Sequence, residues 1–271
     1  MDYILSLVFG IVQGITEFFP VSSSGHLILL HELTHFNLSD NLAFDVALHF
    51  GTFLALVLFF YKDLIKLLSA WLKSFSNWQV KSDFDQRLAW LILVAIIPAG
   101  IAGYFFESQI ESLFYQPWII ALMLIVVGIL FLIVERLNLT QHDLKNLTWK
   151  QSLLIGLSQI LAFIPGTSRS GITIIAGMST KLNREQATRF SFLMSTPLIF
   201  GASLSKGLDL VKISLSQKEI LIFMIGLISS TVVGYLAIKY LLKFVSKYRL
   251  DFFAYYRFAL AGIIIIYLLI I

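Results

Sequence analysis

The sequence predicts an all-α polytopic membrane protein, with about six transmembrane helices and two re-entrant helical hairpins in an inverted-topology repeat. Three observations carry this. Hydrophobic residues make up 58% of the 271 and charged residues only 13%, with a mean hydropathy of +0.85, so most long stretches cannot sit in water. Six apolar runs have the length to span a bilayer. Two polar islands, residues 13–26 and 165–173, stand inside apolar sequence and share one internal spacing.

No segment between the apolar runs is long and polar enough for a soluble domain, so residues 1–271 read as a single membrane domain. The chain has no cysteine, which excludes disulfides, a thiolate nucleophile and Cys-ligated metal. Lys and Arg outnumber Asp and Glu by 20 to 16, an excess that in such a chain first sets orientation and gives no reason to expect nucleic acid. Met1-Asp2 lacks a basic n-region and no cleavage site precedes the first apolar stretch, so that stretch is expected in the mature protein.

Taken in order, residues 3–19 are apolar but carry Gln13 and Glu17, and Pro20, the serines and Gly25 should break the helix. Only Leu27 to Leu30 separate His26 from the polar stretch at 31–40. Two such short arms cannot each cross, so a re-entrant hairpin is expected, its irregular backbone lined by protein or a wet cavity. The spanning runs follow at 44–61, 88–106, 118–135, 190–205, 219–240 and 256–271. Lys62, Lys66, Lys73, Lys81 and Arg87 make the first connection cytoplasmic, and Glu107 and Glu111 mark the second as outside. Arg136, Lys145 and Lys150, then Lys239, Lys243, Lys247, Arg249 and Arg257, continue the alternation, against which Lys206, Lys212 and Lys218 are an objection. Residues 139–150 and 206–218 read as plain loops.

A shift of 146 residues places Gly10, Gln13, Ser22, Ser24, Gly25 and Phe44 on Gly156, Gln159, Ser168, Ser170, Gly171 and Phe190 without a gap, while Pro165 falls one place early relative to Pro20. The repeats are residues 1–135 and 147–271. With an odd number of spans between them the hairpins enter from opposite faces, the arrangement that places a site near the midplane.

Gln13 and Glu17 are spaced i, i+4 and project from one helix face. A carboxylate at this depth either bonds a neighbouring helix or acts as a hard oxygen ligand for Mg²⁺ or Ca²⁺, with Gln13 as a neutral second ligand. Ser22, Ser23, Ser24 and Gly25 either cap the following helix or offer hydroxyls and amides to a phosphate. His26 has the chemistry of a general acid or base. Ser168, Arg169, Ser170 and Thr173 form the second cluster, and Arg169, which cannot shed its charge, needs an anion: Glu17 in a structural ion pair, or a phosphate, which the surrounding hydroxyls favour. His31-Glu32-Leu33-Thr34-His35 matches the zinc-protease pattern H-E-x-x-H, with Asp45 or His49 as third ligand, but sits at the polar end of a short arm. Ser-Gly-His followed by Ser-Arg is similar to type 2 phosphatidic acid phosphatases, but the nucleophilic histidine those enzymes need is missing from 172–178.

The stretch from Gln13 to His26, QGITEFFPVSSSGH, and the stretch from Pro165 to Thr173, PGTSRSGIT, resemble the two signatures of the undecaprenyl-diphosphate phosphatase (bacitracin-resistance) family, and 44–52 resembles a further family stretch. The resemblance covers essentially the whole chain. It implies removal of the terminal phosphate from a C55 polyprenyl diphosphate, recycling the lipid carrier for cell-wall synthesis in a bacterial plasma membrane, with a divalent cation and a site opening outward. It further implies Glu17 at the metal with Gln13 beside it, Ser23 as nucleophile or phosphate ligand, His26 as acid or base, and Arg169 clamping the diphosphate. Many members carry glutamate at the position of Gln13. A transporter or scramblase of polyprenyl phosphate is the rival from another class. Lipid-facing and subunit-facing helix surfaces read alike, so a homodimer stays open as an expectation.

Overall fold

Helix fills the chain because apolar sequence in a bilayer must satisfy its backbone internally. The structure is a computed structural model describing residues 1–36, 38–114, 116–137, 142–210 and 215–270, leaving aside the side chains at 107, 108, 111, 112 and 203–210. Among the described residues there are ten α-helices and no multi-residue strand: α1 Asp2–Phe18, α2 Ser23–Thr34, α3 Asn41–Ser74, α4 Phe84–Phe114, α5 Pro117–Leu137, α6 Trp149–Ser158, α7 Arg169–Ser179, α8 Arg184–Leu210, α9 Gln217–Val245 and α10 Asp251–Ile270. A 3-10 turn, Gln159–Phe163, joins α6 to the break before α7.

Five helices (α3, α4, α5, α9 and α10) are long and apolar enough to cross a membrane among the described residues, so the protein is a multi-pass membrane protein. The remaining expected run, 190–205, is helical within α8 but is not one of the five. The described part of α8 is more polar than the five, opening with Arg184, Glu185 and Arg189 and carrying Ser191, Ser195 and Thr196, and every residue from 190 to 196 is buried against protein.

Three of the four hairpin arms are short, and the fourth, α1, has 17 residues. At about 1.5 Å per residue, the 12 residues of α2, 10 of α6 and 11 of α7 reach roughly 15–18 Å, well under a hydrocarbon core of about 30 Å. The first arm of each hairpin docks through small residues at matching places. In α1, Ser6 donates to the Ile222 carbonyl at 2.6 Å, and a Cβ on Gly10 would lie 1.8 Å from Ser229 Oγ and 2.6 Å from Gly226 O. In α6, Ser152 donates to the Leu91 carbonyl at 2.5 Å, and a Cβ on Gly156 would lie 2.2 Å from Ala95 O. Only glycine lets these backbones approach so closely. Gly10 with Gly156, and Ser6 with Ser152, are each 146 residues apart.

Several expectations need correction. Ser23, Ser24 and Gly25, read as part of a turn, already belong to the first turn of α2, which Ser22 caps. Of the expected loops, α8 runs on to Leu210, α9 starts at Gln217, Leu144–Asn146 is a 3-10 turn and α6 starts at Trp149; residues 139–141 and 211–214, with Lys212, lie outside the described residues, as do the side chains of Glu107, Glu111 and Lys206. Lys218 belongs to α9 and pairs with Asp2 at 2.5 Å. Arg257 is not a connection residue: it stands inside α10 and is 0% exposed.

Candidate active site

The two breaks are built alike. Ser22 and Ser168 both take left-handed backbone, at φ 75° and 72°, and each caps the helix after it: Ser22 Oγ accepts from Gly25 N at 3.4 Å and Ser168 Oγ from Gly171 N at 3.2 Å. Each also pairs with the serine two places on, Ser24 and Ser170, at 3.2 Å. Such backbone is unfavourable for a non-glycine residue and persists only where its surroundings fix it. The amino ends of α2 and α7 thereby present free N–H groups and the positive ends of their dipoles.

Arg257 ties the breaks together. It donates from Nη1 to Pro20 O at 3.0 Å, and from Nη2 to Gly166 O at 2.7 Å and Thr167 O at 3.0 Å. It reaches α5 as well, at Leu124 O and Met123 O. Broken helices leave carbonyls without donors, and at depth only protein can supply them. A fully buried guanidinium does so for both breaks at once.

Glu17 is the centre of the polar cluster. Its side chain is 7% exposed, and Oε2 accepts from Gln13 Nε2 at 3.1 Å and Ser23 Oγ at 2.7 Å, with His49 Nε2 at 3.6 Å. Ser170 crosses from the second hairpin, donating to Glu17 O at 3.3 Å and Phe19 O at 3.5 Å. Arg169 is within electrostatic reach of Glu17, and its Nη1 is buried without a hydrogen-bond partner among the described residues. The structure therefore brings Gln13, Glu17, Ser23, Arg169 and Ser170 together.

Other expected site residues lie around this cluster. Ser22, Ser24 and Ser168 have their hydroxyls engaged in the two caps. Gly25 is buried under Ile120 and the Ser22 side chain. Thr173 is fully buried, donating to Arg169 O at 2.8 Å and pairing with Ser191 at 2.6 Å, so it holds the start of α7 in place. His26 stands apart from Glu17: Nδ1 meets Ser22 O at 2.7 Å, Nε2 meets the Tyr256 hydroxyl at 2.8 Å, and the two rings stack at 9°. Three neighbours of the site, His49, Tyr256 and Arg257, are not site residues in the sequence reading, where His49 enters only as a possible third zinc ligand and Arg257 only as a charge marking sidedness. The only signal for them is a polar side chain inside a spanning run.

The donors beside Glu17 fit a hard cation. Gln13 Oε1 is buried without a hydrogen-bond partner among the described residues, and with the Glu17 carboxylate it offers neutral and charged oxygen. Among the described residues no group of three His, Cys, Asp or Glu could hold a metal, so the remaining ligands would be water and phosphate oxygens, the habit of Mg²⁺. The H-E-x-x-H residues do not converge. His31 pairs with Asp45 at 3.1 Å over the Phe9 ring, and His35 ends α2 in left-handed backbone at φ 48°. Clefts of about 490 and 340 Å³, both lined by Lys66 and Asp85, lie at the facing ends of α3 and α4, away from Glu17.

The fold and cluster define a class: a helical multi-pass membrane protein whose two broken hairpins meet over a carboxylate and an arginine. The particular family follows from comparison, since the model for the bacitracin resistance protein BacA matches residues 6–263, and the chain belongs to that family. A protein of Trichlorobacter lovleyi named undecaprenyl-diphosphatase is 45% identical over 264 residues, covering 97% of this chain and 96% of its own. One of Rubrobacter xylanophilus with the same name is 42% identical over 265 residues, 97% of each. One of Methanobrevibacter smithii, again so named, is 42% identical over 276 residues, 98% of this chain and 97% of its own.

Proposed function

We propose that the chain hydrolyses undecaprenyl diphosphate to the monophosphate and inorganic phosphate, recycling the lipid carrier of cell-wall synthesis and so opposing bacitracin. It is an undecaprenyl-diphosphate phosphatase. The observation that carries this reading is Arg169: a buried guanidinium nitrogen, Nη1, with no hydrogen-bond partner among the described residues, beside a serine-bonded carboxylate and two helix amino ends, is matched by a diphosphate.

The reaction breaks the bond from the bridging oxygen to the terminal phosphorus and makes one from that phosphorus to an oxygen of water. Arg169 holds the phosphate oxygens and offsets the charge spreading over them in transfer. The backbone amino ends of α2 and α7 orient the two phosphates, with Gly25 and Ser170 beside them, while Ser22, Ser24 and Ser168 shape those ends through their caps and Thr173 holds the start of α7. Ser23, 2.7 Å from Glu17, is placed as nucleophile or phosphate ligand, with Glu17 as its proton acceptor. His26 serves as acid or base. Glu17 and Gln13 would hold Mg²⁺ or Ca²⁺, which supplies charge neutralisation when bound.

The like breaks and docking residues support one domain of two inverted halves, 1–135 and 147–271, in the bacterial plasma membrane. The lysines at the facing ends of α3 and α4 support a cytoplasmic first connection and a site opening to the other side. Single cysteines placed in this cysteine-free chain and probed with impermeant reagents test the orientation. The activity is tested by phosphate release in detergent from C55 and shorter prenyl diphosphates with Mg²⁺ or Ca²⁺. Release separates the enzyme from a carrier-lipid transporter; no release from any of them sinks the enzyme reading.

A further inference from the structure

We infer that Tyr256 is a positioning residue for this reaction, fixing the orientation of the His26 ring from α10. The inference rests on the hydrolase reading. His26 is held at both ring nitrogens. Nδ1 faces the Ser22 carbonyl at 2.7 Å, and because a carbonyl only accepts, the hydrogen sits on Nδ1. The neutral ring then keeps its lone pair at Nε2, which faces the Tyr256 hydroxyl at 2.8 Å.

A hydroxyl is the one neighbour that suits both states of such a ring. It donates to Nε2 while the ring is neutral and accepts from it once the ring has taken a proton. Tyr256 can therefore hold the imidazole in either protonation state, with only its hydroxyl hydrogen turning about the C–O bond between the two. The rings add to this by stacking at 9°, centroids 5.8 Å apart.

Tyr256 is in turn held in register. The next residue of α10, Arg257, is bonded to carbonyls of both hairpin breaks and of α5, so α10 can neither slide nor rotate without losing them. One helix thus fixes the breaks with one side chain and the histidine of the first hairpin with the adjacent one. Tyr256 is 41% exposed, so the His26–Tyr256 pair is open on one side.

The test is steady-state phosphate release from a C15 prenyl diphosphate in detergent by the unaltered protein, Tyr256→Phe, His26→Asn and the double variant. Tyr256→Phe keeps the ring and removes one hydroxyl. The expected result is a kcat lower by about tenfold, roughly one hydrogen bond's worth, with KM within about twofold. In the His26→Asn background the same change has no further effect, because Tyr256 acts through His26. The thermal midpoint stays within about 2 °C of the unaltered protein. Losses that multiply in the double variant, an unchanged kcat in Tyr256→Phe, or a kcat loss accompanied by a fallen midpoint each overturn the inference. No release by the unaltered protein sinks the hydrolase reading itself, and this inference with it.

Discussion

Arg257 donates to the carbonyl oxygen of Gly166 at 2.7 Å, from a position 91 residues further along the chain and with no exposure to solvent. The same guanidinium holds Pro20 O, so the distance between the two breaks, and with it the placement of Glu17 against Arg169, depends on one side chain.

Arg257→Met should therefore be costly in both stability and turnover. It leaves five backbone carbonyls without this donor, and a loss of about 3 kcal/mol or more is expected. Denaturant unfolding in detergent measures it. A midpoint equal to that of the unaltered protein would show that the carbonyls find other partners.

Gly10→Ala and Gly156→Ala should each loosen a hairpin. The new Cβ would meet Ser229 Oγ and Gly226 O in the first case and the Ala95 backbone in the second, and overpacking of this kind costs roughly 1–3 kcal/mol. Gly156→Ala should be the worse of the two for its depth of contact with backbone, since Ser229 can turn aside. Thermal midpoints of the two variants decide the order.

Gln13→Glu should strengthen cation binding. Gln13 Nε2 donates to Glu17 Oε2 at 3.1 Å, and a carboxylate there replaces that bond with a like charge that only a cation relieves. The concentration of Mg²⁺ or Ca²⁺ giving half-maximal activity is expected to fall by about tenfold. Stripping divalent cations with a chelator should abolish turnover in both proteins. Turnover that survives the chelator counts against the cation.

The spans and breaks were legible because they rest on strong local signals: apolar runs of membrane length, Pro20, and serines repeated 146 residues apart. The clustering of Glu17, Ser23 and Arg169 was legible from the same repeat. Arg257 was not, since a cation a few residues into an apolar run reads like a residue of the preceding basic connection. Its role depends on carbonyls 91 and 237 residues away. His49 was hidden likewise: only the packing of α3 on α1 sets it 3.6 Å from Glu17. His26 is the reverse case, prominent in the sequence beside three serines, yet bonded to Ser22 O and Tyr256 rather than to Glu17.

Phosphate release by purified Arg169→Ala, set against the unaltered protein, tests the central claim most directly. With the guanidinium removed, whose Nη1 is buried without a hydrogen-bond partner among the described residues, kcat/KM for a prenyl diphosphate should fall by about two to three orders of magnitude while the fold is retained. Release at the unaltered rate would contradict the assignment of the diphosphate to Arg169, and with it the site described around Glu17.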